Sequence, residues 1–159
     1  MTEPEAHESR RAVLHRSWAA DLDAVTLYAL LRLRSEVFVV EQASPYLDPD
    51  GRDLLPATRH LWIGEEGRIV ATARLLEHDE PGGPVFQIGR LCVARSARGR
   101  GDGARLLVAA LAEVGDRPCR LEAQTYLVAM YARFGFERAG AEYMEDGIPH
   151  VPMLRRGRV

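Results

Sequence analysis

The chain has 159 residues, 47% of them hydrophobic and 28% charged, which suits one domain that buries roughly 70% of its unfolded surface without disulfide staples. With 21 basic against 23 acidic residues the net charge is −2, so no overall positive field draws it to nucleic acid or to an anionic membrane. Every basic residue is an arginine, and the missing lysine excludes Schiff-base chemistry, a P-loop lysine and a lysine general base.

No apolar run reaches the roughly 18 to 20 residues that span a bilayer, and residues 1–11 form a polar N-terminal tail without a signal-peptide segment. The expected location is the cytoplasm. Cys92 and Cys119 are the only cysteines, and His7, His15, His60, His78 and His150 are scattered along the chain. Neither a thiolate cage nor a histidine pair at ligand spacing follows, so no metal is expected. No repeat, low-complexity tract or long Gly/Ser linker divides residues 12–159, which read as a single domain.

In chain order, residues 12–18 read as a short strand. From 22 to 40, Leu30, Leu33, Val37 and Val40 follow helical spacing on one face, with Asp21 or Asp23 available as the N-cap. Pro45, the run Asp48-Pro49-Asp50-Gly51 and Pro56 make 44–58 a loop. Residues 59–65 and 68–77 read as a hairpin joined at Glu66-Gly67, 78–84 as a loop and 85–94 as a strand. Leu107, Ala110, Leu111 and Val114 give 103–114 an apolar helical stripe, and 119–125 a strand follows. A second stripe of Leu127, Met130, Tyr131 and Phe134 closes at Gly135. Strands at 136–144 and 150–154 flank an Asp146-Gly147 turn.

The order β, α, β-hairpin, β, α, β, α, β, β predicts a mixed α/β sheet. Strands 85–94 and 119–125, joined by a helical crossover, are expected to run parallel. Cys92 then lies near the end of its strand and Cys119 at the start of its own, several residues of about 3.3 Å apart and beyond the roughly 7 Å that a disulfide spans. Both are expected to be free thiols.

The strongest chemical signal is Arg98-Gly99-Arg100-Gly101-Asp102-Gly103-Ala104, a short Arg/Gly loop between a strand and an amphipathic helix. Backbone N–H groups and the positive end of the helix dipole converge there, which suits a diphosphate. The glycines allow close backbone approach, and Arg98 and Arg100 supply charge. A glycine triplet alone fits a mobile turn equally well; the strand before it and the helix after it are the context that favours phosphate.

Arg98-x-x-Gly101-x-Gly103 after Leu91-x-Val93 resembles the acetyl-CoA pyrophosphate loop of the GNAT superfamily of N-acetyltransferases. Ala129-Met-Tyr131-Ala-Arg-Phe-Gly135-Phe136 is similar to that superfamily's second signature. The segment 27–42, Pro45-Tyr46 with Asp48-x-Asp50-Gly51, Arg59-His60 and Glu145-Asp-Gly-Ile-Pro-His150 resemble its ElaA-like branch, so the resemblance covers about 27–153. It implies a mixed, mostly antiparallel sheet flanked by helices, whose central parallel strands splay to admit pantetheine against the backbone of Leu91, Cys92 and Val93. It also implies acetyl-CoA as co-substrate and an amine acceptor, and it is compatible with a homodimer. Asp102 departs from relatives with an apolar or neutral residue there, and is read as capping the following helix rather than facing the diphosphate.

Acetyl transfer needs a deprotonated amine, a donor to the oxyanion and an acid for the leaving thiolate. The resemblance assigns the acid to Tyr131 and the oxyanion donor to a backbone N–H near Val93; the competing reading of Tyr131 is a core aromatic. Cys92 in an apolar strand, with no histidine beside it in sequence, reads as packing rather than as a nucleophile. Where some relatives carry a glutamate base, Gln87 stands here. Glu36 and His60 read as a solvated residue and a satisfied histidine, Glu145 is a further carboxylate, and Glu41 and His150 remain the base candidates beside a water-relayed proton transfer. Arg34, Asp48, Arg74 and Arg90, with Gln124, are the acceptor-site candidates.

Arg34-x-x-x-Phe38, Asp48, Arg74 and Arg90-x-x-Val93 also resemble acyl-homoserine-lactone synthases, although Gln87 stands where those have an acid and no tryptophan follows Phe38. The same arginines fit a buried ion-pair network with Asp48, Asp50 or Glu41. An acetyltransferase is therefore expected, with a synthase-like acyltransferase or a non-catalytic acyl-CoA-binding module as the alternatives.

Overall fold

The computed structural model describes residues 12–158; the polar tail read over 1–11 lies outside them. An eight-stranded mixed sheet forms the frame, in the order β1-β2-β3-β4-β5-β8-β6 with β7 also on β8. The strands are β1 Val13–Trp18, β2 Arg59–Glu65, β3 Arg68–Glu80, β4 Gly83–Val93, β5 Cys119–Gln124, β6 Glu137–Arg138, β7 Tyr143–Glu145 and β8 Ile148–Arg155. Only β4 and β5 run parallel. No helix among the described residues is long and apolar enough to cross a membrane.

Helix α1, Ala24–Arg34, starts at Asp23, whose carboxylate accepts the Thr26 N–H at 2.6 Å and so satisfies one of the orphan donors of the first turn. The helix expected through residue 40 changes character at Ser35–Glu41, a π-helical segment. There Gln42 N–H bonds to Val37 C=O and Ser44 N–H to Val39 C=O, both five residues back. The wider turn rotates Val40 off the stripe, leaving it 74% exposed while Leu30, Leu33 and Val37 stay buried. Glu41, itself exposed, and the half-buried Gln42 instead border the opening beside β4.

The stretch 78–84 is not a loop. His78, Asp79 and Glu80 pair with Val85, Pro84 and Gly83, so β3 and β4 form one long hairpin that turns at Pro81-Gly82. Its Pro84 lacks an N–H but precedes the first β5 partner at Phe86, so no ladder bond is lost. The strand expected at 136–144 divides into β6 and β7. Between them a Cβ on Gly140 would stand 2.8 Å from Pro152 Cγ, so glycine lets the chain cross close over β8.

Helix α2, Asp102–Val114, packs Leu106, Leu107, Ala110 and Val114 onto β2, β3 and β4. The second stripe is a short 3-10 turn at Thr125–Leu127 followed by α3, Val128–Ala132. Both cysteines are free and buried, as expected: Cys119 pairs with Phe86, and Cys92 lies past the point where β4 and β5 part.

Candidate active site

β4 and β5 pair only at Phe86–Cys119 and Gln87–Arg120. Beyond that point β4 bulges. Arg74 faces Gly89 and Thr72 faces Cys92, so Arg90 and Leu91 together oppose Ala73. Arg90 takes a left-handed φ of 52°, uncommon for a non-glycine residue. A bulge bends its strand, and here the bend opens a cavity of about 1140 Å³ between β4 and β5. Leu91, Cys92 and Val93 line one side, Leu121, Glu122 and Gln124 the other.

At one end of the cavity lie Arg98, Gly99, Gly101, Asp102, Gly103 and Ala104. Gly101 is the N-cap of α2, with φ 81° and no contact within 4 Å where a Cβ would stand. The loop's backbone is therefore open to a ligand at a helix start, the geometry that accepts phosphate oxygens. The expected cap by Asp102 is corrected: it is the first helical residue, buried, with its carboxylate 3.3 Å from Arg100 and 3.5 Å from Arg105. Glycine takes the cap because only a left-handed residue turns the loop into the helix there. Arg100 forms a fork on Glu65, at 3.1 and 2.7 Å, and is not brought to the cavity wall. Arg98 borders the cavity but is already paired, with Glu41 at 2.8 Å and with the Val93 carbonyl at 3.2 Å.

Tyr131 lines the same cavity, 6% exposed and edge-on to Phe136 at 6.1 Å. Burial pushes its phenol pKa well above the ordinary value, and the neighbouring Tyr126 adds to that. Cys92 also borders the cavity, but burial drives its thiol up to about 12, which removes the thiolate that nucleophilic work needs. On β8, His150 accompanies Gln124 across the ladder. His150 Nδ1 is 2.8 Å from the Ile148 carbonyl, which fixes Nδ1 as the donor and leaves the lone pair on Nε2, 3.9 Å from Glu145. Of the weaker base candidates, Glu36 pairs with Arg32 at the surface, and His60 is buried with Nε2 2.9 Å from the Asp53 carbonyl.

The acceptor-site candidates divide. Arg74, Arg90 and Gln124 line the cavity, whereas Arg34 and Asp48 lie behind its wall in a buried ion network. Arg34 donates to Asp48 at 2.8 Å and to Asp53 at 2.6 Å, Arg74 forks onto Asp50 at 2.8 Å, and Arg90 reaches Asp48. Glu41 is not part of it. Asp53 is, and its signal was the acidic spacing Asp48-x-Asp50-x-x-Asp53 opposite three arginines. Burial raises the Asp53 carboxyl, but hydrogen bonds and charge from Arg34 and Arg74 outweigh it and hold its pKa below the ordinary value. Two further contacts were not legible in sequence: Gln42 and Gln124 exchange amide hydrogen bonds at 3.2 Å, and Ser44 Oγ donates to the Asp146 carbonyl at 2.7 Å. They tie the end of the π-helical segment and the loop after it to β5 and the β7–β8 turn.

A mixed sheet whose central parallel strands part over such a cavity, with an open glycine loop at a helix start, is the architecture of an α/β acyltransferase. Residues 22–156 match the acetyltransferase (GNAT) domain family. A Mycobacterium tuberculosis UPF0039 protein is 62% identical over 145 residues, spanning 91% of this chain and 93% of its own. Escherichia coli ElaA is 42% identical over 146 residues, 89% of this chain and 93% of its own. The ElaA crystal structure superposes with a TM-score of 0.82 at 38% identity, over 92% of this chain and 100% of that one. A Pseudomonas aeruginosa structure described as an acyl-CoA N-acyltransferase gives 0.84 at 41% identity, over 91% and 99%. The chain belongs to the GNAT acetyltransferase family, in its ElaA-like branch.

Proposed function

We propose that this protein transfers the acetyl group of acetyl-CoA directly to a primary amine. The observation that carries the reading is the single cavity that joins the open backbone of the Gly99–Gly103 loop, the parted strands and the buried Tyr131. The P. aeruginosa relative's description as an acyl-CoA N-acyltransferase supports the donor class and the nitrogen acceptor.

The chain's residues then divide the work. Loop amides and Arg98 hold the diphosphate, and β4 from Leu91 to Val93 lines the pantetheine. His150 Nε2 takes the amine proton as the C–N bond forms, and Tyr131 gives its proton to the thiolate as the C–S bond breaks. Arg74, Arg90 and Gln124 bound the acceptor end.

Gly101→Glu tests the donor site, because it sets a charged side chain against the diphosphate and strains a left-handed position. Calorimetry is expected to show CoA affinity falling at least about tenfold, which is about 1.4 kcal/mol, while Gly101→Ala, carrying the strain without the charge, loses less. Unchanged CoA affinity in a folded Gly101→Glu protein refutes the assignment. Thiol release with a panel of amines, using acyl-CoA and acyl-carrier donors in parallel, separates an acetyltransferase from a synthase-like enzyme and from a binder without turnover. His150→Gln keeps a polar group but no base, and is expected to lower kcat/KM by about tenfold, water relaying the remainder. A kcat/KM within about twofold of the parent's, under about 0.5 kcal/mol, excludes His150.

A further inference from the structure

We propose that Glu41 holds Arg98 until the donor arrives, so that a CoA diphosphate displaces the Glu41 carboxylate and leaves it free on the acceptor side of the cavity. This rests on the reading of the Gly99–Gly103 loop as the diphosphate site and adds an order to the two substrates.

Arg98 Nη2 lies 2.8 Å from Glu41 Oε2, and Arg98 Nε donates to the Val93 carbonyl at the end of β4. Nε is thus committed to backbone and Nη2 to a carboxylate that reaches it from the π-helical segment. A guanidinium fork that grips one oxyanion is shaped to grip another. The loop's second arginine, Arg100, is engaged by Glu65 and Asp102, so Arg98 is the loop guanidinium that borders the cavity. A phosphate that takes the Nη2 donors must displace Glu41 from them.

The π-helical segment is what brings the carboxylate there. Regular 3.6-residue winding through residue 41 would keep Val40 on the buried stripe; the widened turn exposes Val40 and aims Glu41 at the loop. Such turns recur at functional sites. The pair is only partly shielded, with side-chain exposures of 44% for Arg98 and 29% for Glu41, so a diphosphate of higher charge can displace it. Once displaced, Glu41 is an unpaired anion beside Gln42, which is bonded to Gln124 at the acceptor end. An amine reaches the site as a cation, so donor binding strengthens acceptor binding, and by linkage the reverse.

Glu41 is a positioning residue acting through Arg98, and the test is calorimetry of CoA with the full chain as wild type, Glu41→Gln, Arg98→Ala and the double variant. Glu41→Gln is expected to bind CoA about two- to fivefold tighter, the scale of a partly exposed ion pair. In the Arg98→Ala background the same substitution is expected to gain nothing. Steady-state kinetics supply a second readout: the KM for acetyl-CoA falls by a similar factor, while that for acetyl-pantetheine, which has no diphosphate, stays put. Equal or weaker CoA binding by Glu41→Gln overturns the exchange and leaves the donor assignment standing. A gain that persists without Arg98 overturns it too, as a general charge effect. Failure of the wild type to bind CoA removes both the donor assignment and the exchange.

Discussion

Tyr131→Phe is expected to bind CoA nearly as the parent does and to turn over about 10² to 10⁴ times more slowly, or roughly 3 to 5 kcal/mol at about 1.4 kcal/mol per tenfold. The substitution keeps the ring edge-on to Phe136 and removes one hydroxyl that has no hydrogen-bond partner among the described residues. Stability should therefore hardly move, because no buried bond is lost and the phenylalanine ring fills the same volume. Burial raises the phenol pKa, so the group keeps its proton throughout the neutral range, as an acid for the leaving thiolate must. Thermal unfolding and steady-state kinetics on one preparation decide the matter. A kcat within about threefold of the parent, under 1 kcal/mol on this scale, makes Tyr131 a packing residue and sends the search for the acid elsewhere.

The parts of this site that sequence reveals are those whose residue type is dictated by backbone geometry. Gly101 is legible because a left-handed N-cap admits little else, and the crossover from β4 to β5 is legible because a strand, a glycine loop and an amphipathic stripe follow one another. Tyr131 shows only through the resemblance of Ala129–Phe136 to the family's second signature, since its place on a helical stripe suits a core aromatic equally well. The π-helical segment does not show: Leu30, Leu33, Val37 and Val40 satisfy an ordinary helical period, and nothing in the apolar pattern marks one widened turn. The sequence therefore leaves Glu41 among the base candidates and offers it to Arg34, Arg74 or Arg90 as a partner, whereas the rotation of that turn hands it to Arg98. Charge partners escape for a related reason. Composition gives nearly matched numbers, 21 basic and 23 acidic residues, but which aspartate meets which arginine depends on how loop 44–58 folds over β3. That is how Asp53 went unread and how Asp102, one residue past the cap, was taken for the cap itself. The long β3–β4 hairpin was hidden by its polar and proline-rich tip, since residues facing solvent on both sides of a two-stranded ribbon carry no apolar alternation.

Arg34→Met is expected to cost about 3 to 5 kcal/mol of stability at neutral pH, the scale of breaking a buried ion pair while its partners stay behind. Arg34 is 1% exposed, and its guanidinium bridges Asp48 and Asp53, themselves buried. Methionine fills much of the volume, so the loss is electrostatic rather than a cavity. The pH dependence gives the signature. In the wild type the Asp53 pKa lies below its ordinary value: burial raises it, and Arg34 and Arg74 pull it further down. A depressed carboxyl contributes stability that is present above its unfolded pKa of about 3.9 and is lost as pH falls through the folded value. Without Arg34 less opposes the burial cost and the Asp53 pKa rises, so the variant's Asp53 takes up its proton at a higher pH and sheds its penalty. The difference between wild type and variant should therefore shrink on going from pH 7 to about pH 4, even as the wild type itself loses stability. Tyr46 donates to Asp48 and Arg90 pairs with it, so the acceptor-side loop loosens with the network and activity at a given temperature falls beyond the loss of folded protein. Denaturant unfolding at the two pH values reads the effect. A loss below about 1 kcal/mol at pH 7, the level of an exposed pair, or a deficit that stays constant with pH, shows that Arg34 contributes packing and not charge to holding that loop.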